Sequence, residues 1–427
     1  MKHSMTRRTF IRDSAKVTAA ASALKAPFLG RAQSSPSNRI VVGVMGLGRG
    51  MAHINNSLAL ADVEVGAVCD VDQTRIDRAL AAVRKAGSDK TKGVQDFRRL
   101  LDNKHIDVIM IATCNHWHAP ATILACSAGK HVYVEKPGSH NPHEGEMMVA
   151  AARKNNRVVQ MGNQRRSWPA IIEAITRIKS GDIGKVTYAR CWYNNARGSI
   201  GKGKPAPIPA HLDYNIWQGP APERPYKDNL VHYNWHWHWH WGNGELGNNG
   251  IHALDLCRWG LDVDYPLRVT YNGGRFHFDD DQETPDTGTA VFDFGDKGAS
   301  WECSSCLPRR DESLDFVRFY GTKGTLGIAG SGYRIYDLTG KETETVKGEG
   351  GDRSHMANFF DCVRSGKTPN SEIEIGQKST LMCHLGNIAY RTGSMVHFDP
   401  KGRRIVNNAA AEALWARSYR PGWEPVV

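Results

Sequence analysis

The feature that most limits how this chain can fold is a strand that runs straight into a glycine turn. Residues 39–45 (RIVVGVM) are β-branched on both faces, the pattern of a strand buried in a parallel sheet. They lead into Gly46-Leu47-Gly48-Arg49-Gly50 and then a helical stretch. In a dinucleotide fold the first glycine makes the tight turn and the second lets backbone approach a pyrophosphate. The helix N-terminus then receives the negative charge. The third glycine stands at position 50, where the usual spacing places it at 51. A second strand, Val63–Cys69, ends in Asp70, where a carboxylate can accept hydrogen bonds from an adenosine ribose. Each piece alone is an ordinary turn or a solvated acid. In this order they predict a nucleotide site.

The alternation continues. Residues 107–113 (DVIMIAT), 131–135 and 157–161 read as strands, with helices at 119–128 and 144–155 between them. Such regularity predicts a doubly wound parallel sheet with ligands at the carboxyl ends of its strands. The residues to watch are therefore Thr113, Asn115 and His118, then Glu135, Lys136 and Pro137, then Asn163 and Gln164. After a helical stretch at 167–180 the pattern changes to alternating strands joined by glycine turns, at 185–193, 267–278, 288–302 and 316–329. These predict an antiparallel sheet with one buried face. The expected fold class is α/β: a Rossmann-type doubly wound parallel sheet over 36–162, then an α+β domain over 163–427 with a large, mostly antiparallel sheet.

Residues 1–32 have a different character. Arg7-Arg8 is followed by Phe10 and Ile11, a weakly apolar run rich in Ala, Ser and Thr, and a small-residue region near Ala32. This resembles a twin-arginine signal. The competing reading is an amphipathic first helix, but residues 17–24 offer it only eight weakly apolar positions. The expectation is export by the twin-arginine route to the periplasm, a route that carries folded proteins with cofactor already bound. The segment holds seven basic residues against Asp13 alone, so it carries six of the formal +11 and leaves +5 for the rest. No run of five basic residues remains, which disfavours nucleic acid as a partner. No window reaches the ~20 apolar residues of an integral membrane span. Nine scattered cysteines exclude a disulfide-stapled scaffold.

Five segments taken together, MGLGRG, CDVD, ATCNHWHAP, AGKHVYVEKP and VVQMGNQ, resemble the glucose-fructose oxidoreductase, inositol dehydrogenase and rhizopine-catabolism (Gfo/Idh/MocA) family. The most specific piece is Glu135-Lys136-Pro137 at a strand end. The resemblance implies a nicotinamide cofactor held by Gly46, Gly48, Arg49, Gly50, Asp70, Thr113, Asn115, His118, Glu135, Lys136 and Gln164. It places Lys136 beside both nicotinamide and substrate. Asp70 favours NAD over NADP by repelling a 2′-phosphate, and Arg75 moderates that repulsion. Residues 244–255 (GELGNNGIHALD) are similar to the family's second signature, in which an acid and a histidine four apart face the substrate. The histidine matches His252. Asn248 stands where the family more often has Asp, so it can orient a hydroxyl but not take its proton, and Glu245 is the nearest carboxylate in sequence. Residues 212–226, with Trp217, resemble loops of periplasmic and planctomycete-like branches. The family's second-domain sheet often serves for association, which implies a homo-oligomer. Its C-terminal helices, here at 353–364 and 376–390, pack back on the first domain, with His355 or Asn358 edging the cleft.

The most unusual segment is NWHWHWHW at 234–241. If extended, His236, His238 and His240 share one face and the tryptophans the other. Closely spaced imidazoles suit zinc, yet no carboxylate partner is placed by sequence. A sugar cleft, with indoles on ring C–H faces and His238 and His240 on hydroxyls, or a packed aromatic loop, is preferred, and no metal is assigned.

The expected function is hydride transfer between a nicotinamide and a sugar, polyol or glycoside hydroxyl carbon. His252 is the acid/base, Lys136 the proton relay or alkoxide stabiliser, Asn248 the orienting group, and Trp217, His238 and His240 the substrate contacts. A second expectation keeps a non-dissociating cofactor and gives redox-neutral glycoside cleavage. A third is a non-catalytic sugar- or metal-binding protein.

Overall fold

The computed structural model describes residues 39–312 and 314–427, so the expected signal segment lies outside the described residues. Six parallel strands form the first sheet: β1 (Ile40–Met45), β2 (Val63–Cys69), β3 (Lys92–Val94), β4 (Val108–Ile111), β5 (His131–Val134) and β6 (Val159–Met161). Their spatial order is β3-β2-β1-β4-β5-β6, the doubly wound arrangement. One face is covered by helices Asn115–Ser127 and Pro142–Lys154 through Ala119, Ile123, Met148 and Ala151. The other is covered by helices Gly50–Leu58, Gln73–Lys85 and Arg353–Ser365 through Ile54, Ile76 and Phe359. A sheet buried on both faces explains why β1 and β4 are apolar throughout rather than alternating.

Register sets the site. Met45 pairs with Cys69 and with Ile111, Ile111 pairs with Val134, and Val134 with Met161. The residues that follow, Gly46, Asp70, Ala112, Glu135 and Gly162, therefore emerge together along one end of the sheet.

The second sheet has ten strands. In spatial order they are Glu342–Val346, Gly332–Tyr336, Thr325–Ala329, Val317–Gly321, Val186–Asn194, Gly298–Ser304, Thr287–Asp293, Arg268–Gly274, Val396–Asp399 and Arg404–Val406. All neighbours pair antiparallel except Val186–Asn194 with Gly298–Ser304. Its inner face, with Ala189, Cys191, Phe292 and Trp301, packs on helices Pro169–Ser180, Ile251–Leu261 and Ile373–Thr392.

Three expectations are corrected. The runs at 288–302 and 316–329 are each two strands, because Gly295 and the Thr322–Gly324 turn fold them into hairpins. The 234–241 segment is not extended: Asn234–Trp237 is a 3-10 turn, and the chain folds back so that Trp241 N–H donates to the His238 carbonyl. The turn wins because it buries Trp235, Trp237 and Trp241 together, whereas a strand would leave one face of indoles uncovered. Asn248 and His252 are not one α-helical turn apart, since Leu246–Gly250 is a π-helical turn. Such turns recur at functional sites.

Candidate functional site

The carboxyl end of the first sheet opens into a cavity of about 560 Å³. Gly46, Gly48, Arg49, Asp70, Thr113, Asn115, Glu135, Lys136, Gln164, Trp217 and His252 all line it. Residues from positions 46 to 252 thus meet at one surface.

The nucleotide end is built for close approach. Gly46 adopts φ +85°, and a Cβ there would fall 2.5 Å from the Ala112 carbonyl oxygen. A Cβ on Gly48 would fall 3.1 Å from the Arg75 guanidinium. Helix Gly50–Leu58 has no acidic residue in its first turn, which leaves its positive end to an external anion. Asp70 Oδ2 accepts the Leu47 N–H at 2.7 Å and Oδ1 accepts the Asp72 N–H at 3.0 Å. The carboxylate braces the glycine turn against β2 and keeps lone pairs for ribose hydroxyls. Burial raises its pKa, and those backbone bonds oppose the shift. A dinucleotide fits this cradle.

A segment of the second half crosses this end. Asp213 N–H donates to the Val71 carbonyl, Gln73 N–H donates to the His211 carbonyl, and Leu212 bridges Asp72. His232 Nε2 lies 2.8 Å from Asp72 Oδ2. Ile216, Trp217, His232, Tyr233, Trp235 and His236 thereby form the far wall of the cavity.

A second group of charges gathers at the end of β5. Glu135 Oε1 lies 3.1 Å from both Arg49 Nε and His53 Nε2. Burial works against its charge, yet His53, Arg49 and Lys136 hold its carboxyl well below the usual range. Lys136 Nζ donates to the Asn248 carbonyl at 2.7 Å and to Asn248 Oδ1 at 2.9 Å. An ammonium has three N–H groups, so one remains for a ligand. Burial lowers the Lys136 pKa, against the pull of Glu135, and makes its proton easier to give up. His252 also faces the cavity. Burial, then the charges of Lys136 and Arg165, push its pKa well below the ordinary value. Its helix is fixed from below: Asp255 takes Arg166 Nε at 2.9 and 2.8 Å and Ser379 Oγ at 2.6 Å.

A neutral His252 is the form able to accept a proton. If it serves as the base, activity holds above its pKa and is lost as pH falls through that value. The acidic limb of kcat/KM should therefore lie below about 6.5, the unperturbed histidine value. An acidic limb above 7 that disappears in His252→Asn would contradict this assignment.

Other expected residues sit elsewhere. Gly50 packs the helix on β1, since a Cβ there would meet Val44 at 2.9 Å. His118 lies behind the cavity wall, with Nδ1 2.6 Å from the Pro137 carbonyl and Nε2 3.1 Å from that of Thr113. It ties the ends of β4 and β5 together. Asn248 acts on Lys136 and does not line the cavity. Glu245 is buried against Asn249 and Arg197. His238 and His240 point away: His238 Nδ1 is 3.6 Å from Glu283, and His240 Nε2 is 2.7 Å from the Pro222 carbonyl. The 3-10 turn, which breaks the two-residue period, is what separates them from the cleft. His355 bonds Ser167 and the Met161 carbonyl, and neither it nor Asn358 edges the cavity.

Sequence reasoning did not single out His232, Tyr233 or a cleft role for His236. His236 Nδ1 lies 2.6 Å from the Tyr233 carbonyl, so its Nδ1–H donates there and Nε2 keeps its lone pair. Burial drives its pKa down to about 3, and it stacks on Trp235 at 3.6 Å.

The fold and the glycine cradle define an NAD-binding Rossmann protein carrying a second α/β domain. The oxidoreductase family with an NAD-binding Rossmann fold (GFO_IDH_MocA) matches residues 39–163, and its C-terminal alpha/beta domain (GFO_IDH_MocA_C2) matches 183–298 and 303–425. The chain belongs to the Gfo/Idh/MocA oxidoreductase family. It is 28% identical over 212 residues to a "Glycosyl hydrolase family 109 protein 1" of Shewanella sp. strain ANA-3, covering 45% of this chain and 46% of that one. A "Glycosyl hydrolase family 109 protein" of Shewanella putrefaciens is 30% identical over 157 residues, 36% of this chain and 34% of that one. The chain spans about half the length, or less, of these curated relatives. Among solved structures, aldose-aldose oxidoreductase from Caulobacter crescentus, complexed with glycerol, superposes with TM-score 0.66 at 20% identity over 84% of this chain and 100% of that one. The WlbA dehydrogenase from Bordetella pertussis, with NADH and UDP-GlcNAcA, gives 0.64 at 20% identity over 84% and 99%. At these identities the structures speak for the fold.

Proposed function

We propose that this protein transfers hydride between NAD and the hydroxyl carbon of a sugar, polyol or glycoside. The observation that carries the reading is that Lys136 and His252 share one cavity with the glycine cradle. The nicotinamide, when bound, supplies the hydride acceptor. His252 takes the hydroxyl proton, and the free N–H of Lys136 stabilises the oxygen that loses it. Asn248 holds the lysine in place. Asp70 at the ribose favours NAD. Protein saturated with NAD and offered a panel of sugars and glycosides should produce reduced nicotinamide with at least one of them. A panel that leaves the nicotinamide oxidised throughout would overturn the reading.

A second reading has its own support. The segment crossing the nucleotide end would hinder exchange of the dinucleotide, and the relatives named above are called glycosyl hydrolases. A retained cofactor that is reduced and then reoxidised within one turnover would cleave a glycoside with no net redox change. No pair of glycosidase carboxylates is then required. Glycoside cleavage that proceeds after gel filtration with no added NAD favours this reading, and cleavage that stops until NAD is added removes it.

Export by the twin-arginine route to the periplasm accompanies both readings. Replacing Arg7-Arg8 with Lys-Lys should shift the protein from the periplasmic to the cytoplasmic fraction. An unchanged distribution would remove the proposal. Self-association is assigned to the outer face of the ten-stranded sheet, where Tyr188 and Val291 are exposed.

A further inference from the structure

A second cavity, of about 290 Å³, lies on the other side of the tryptophan-histidine turn. It is near the lower end of small-molecule pockets, about 300–1,000 Å³. The two cavities share no lining residue: Trp235 and His236 face the first, and Trp239 and His240 the second. Asn115, in the first, meets Asn243, in the second, through a 3.4 Å hydrogen bond.

The lining of the second cavity combines an aromatic wall, neutral imidazoles and a cation. Arg391 makes no ion pair or hydrogen bond among the described residues, and its guanidinium lies 5.3 Å from the Trp239 ring centre. Arg417, by contrast, is neutralised by Glu144 at 2.8 Å. Glu283 is the carboxylate whose charge reaches Arg391, and it also faces Arg224 at 3.8 Å and His238 at 3.6 Å. Arg391 and Arg417 are the two arginines at the cavity wall, and with Arg417 paired to Glu144, Arg391 is the cation left to meet an anionic ligand. His240 donates Nε2–H to Pro222, which leaves Nδ1 as an acceptor, and burial lowers its pKa to about 4. Asn387 gives its amide N–H to the Asn243 carbonyl at 3.0 Å and keeps Oδ1 free.

We propose that this cavity binds a small hydroxylated carboxylate of about one sugar-acid unit. The carboxylate sits on Arg391, whose planar fork suits it. The hydroxyls meet His240 Nδ1 and Asn387 Oδ1, and the ring lies against Trp239. The site stands on its own residues and does not depend on the reaction proposed for the first cavity.

Glucuronate, glucose and acetate are the probes, titrated calorimetrically into the full chain. Glucuronate should bind saturably and more tightly than either glucose or acetate. Arg391→Met should weaken it by about tenfold or more, Arg391→Lys should recover part of the loss, and Lys136→Met should leave it unchanged. Arg391 is exposed, so the fold should survive, and an unaltered melting temperature checks this. Glucuronate binding that survives Arg391→Met, that is lost with Lys136→Met, or that is no tighter than acetate would overturn the proposal, as would no saturable binding.

Discussion

Lys136→Met should lower turnover by about 10²–10³-fold, the range for removing a donor aimed at an oxygen that gains charge. Affinity for the dinucleotide should change little. Lys136 holds no part of the glycine cradle, and Glu135 keeps Arg49 and His53 as partners when the lysine is gone. His252→Ala should behave alike, and the double variant should be hardly slower than either single one, because both act on the same hydroxyl in one step. Steady-state rates with a dinucleotide titration followed by tryptophan fluorescence separate the two effects. A Lys136→Met enzyme within threefold of wild type would remove the lysine from the chemistry.

The second large effect concerns retention. His232 and Asp72 join the crossing segment to the end of β2. Burial opposes the charge on Asp72, but bonds from Thr74 and His232 lower its pKa, so the contact carries charge at neutral pH. His232→Leu should speed dinucleotide release by about 10–100-fold, the loss of a hydrogen bond to a charged group. Asp72→Asn is the better-controlled partner, since its side-chain oxygen can still accept the Thr74 N–H that caps helix Gln73–Lys85. Gel filtration followed by measurement of the dinucleotide left on the protein reads both variants. Equal retention in His232→Leu and wild type would mean that the segment does not hold the cofactor.

These residues also mark what can be read from the chain alone. The parallel sheet is legible because a buried strand, a glycine turn and an acid follow one another in sequence, so local steric demands report a tertiary site. Lys136 and His252 are legible through family motifs rather than through periodicity. β3 is missed because Lys92–Val94 is short and two of its three residues are exposed, which leaves no apolar signal. The turn at Gly295 does have a signal, Asp-Phe-Gly-Asp, that marks the break in the run at 288–302. The tryptophan-histidine segment misleads for a physical reason: a period of two fits a strand, but burying three indoles at once fits a turn better. The crossing segment is illegible because its anchors, Asp72 and His232, lie 160 residues apart: Asp72 closes the CDVD segment, but nothing around His232 marks it as its partner.

The central claim is that a substrate carbon and a nicotinamide exchange hydride beside Lys136. It is tested most directly by isotope. Protein loaded with NAD is mixed with sugars and glycosides deuterated at their carbinol carbons, then denatured, and the released dinucleotide is analysed by mass spectrometry. The account predicts one deuterium on the nicotinamide ring with at least one sugar, appearing about 10²-fold or more slowly with the same sugar in Lys136→Met. Nicotinamide free of deuterium across the whole panel, from protein shown to bind NAD, would contradict it.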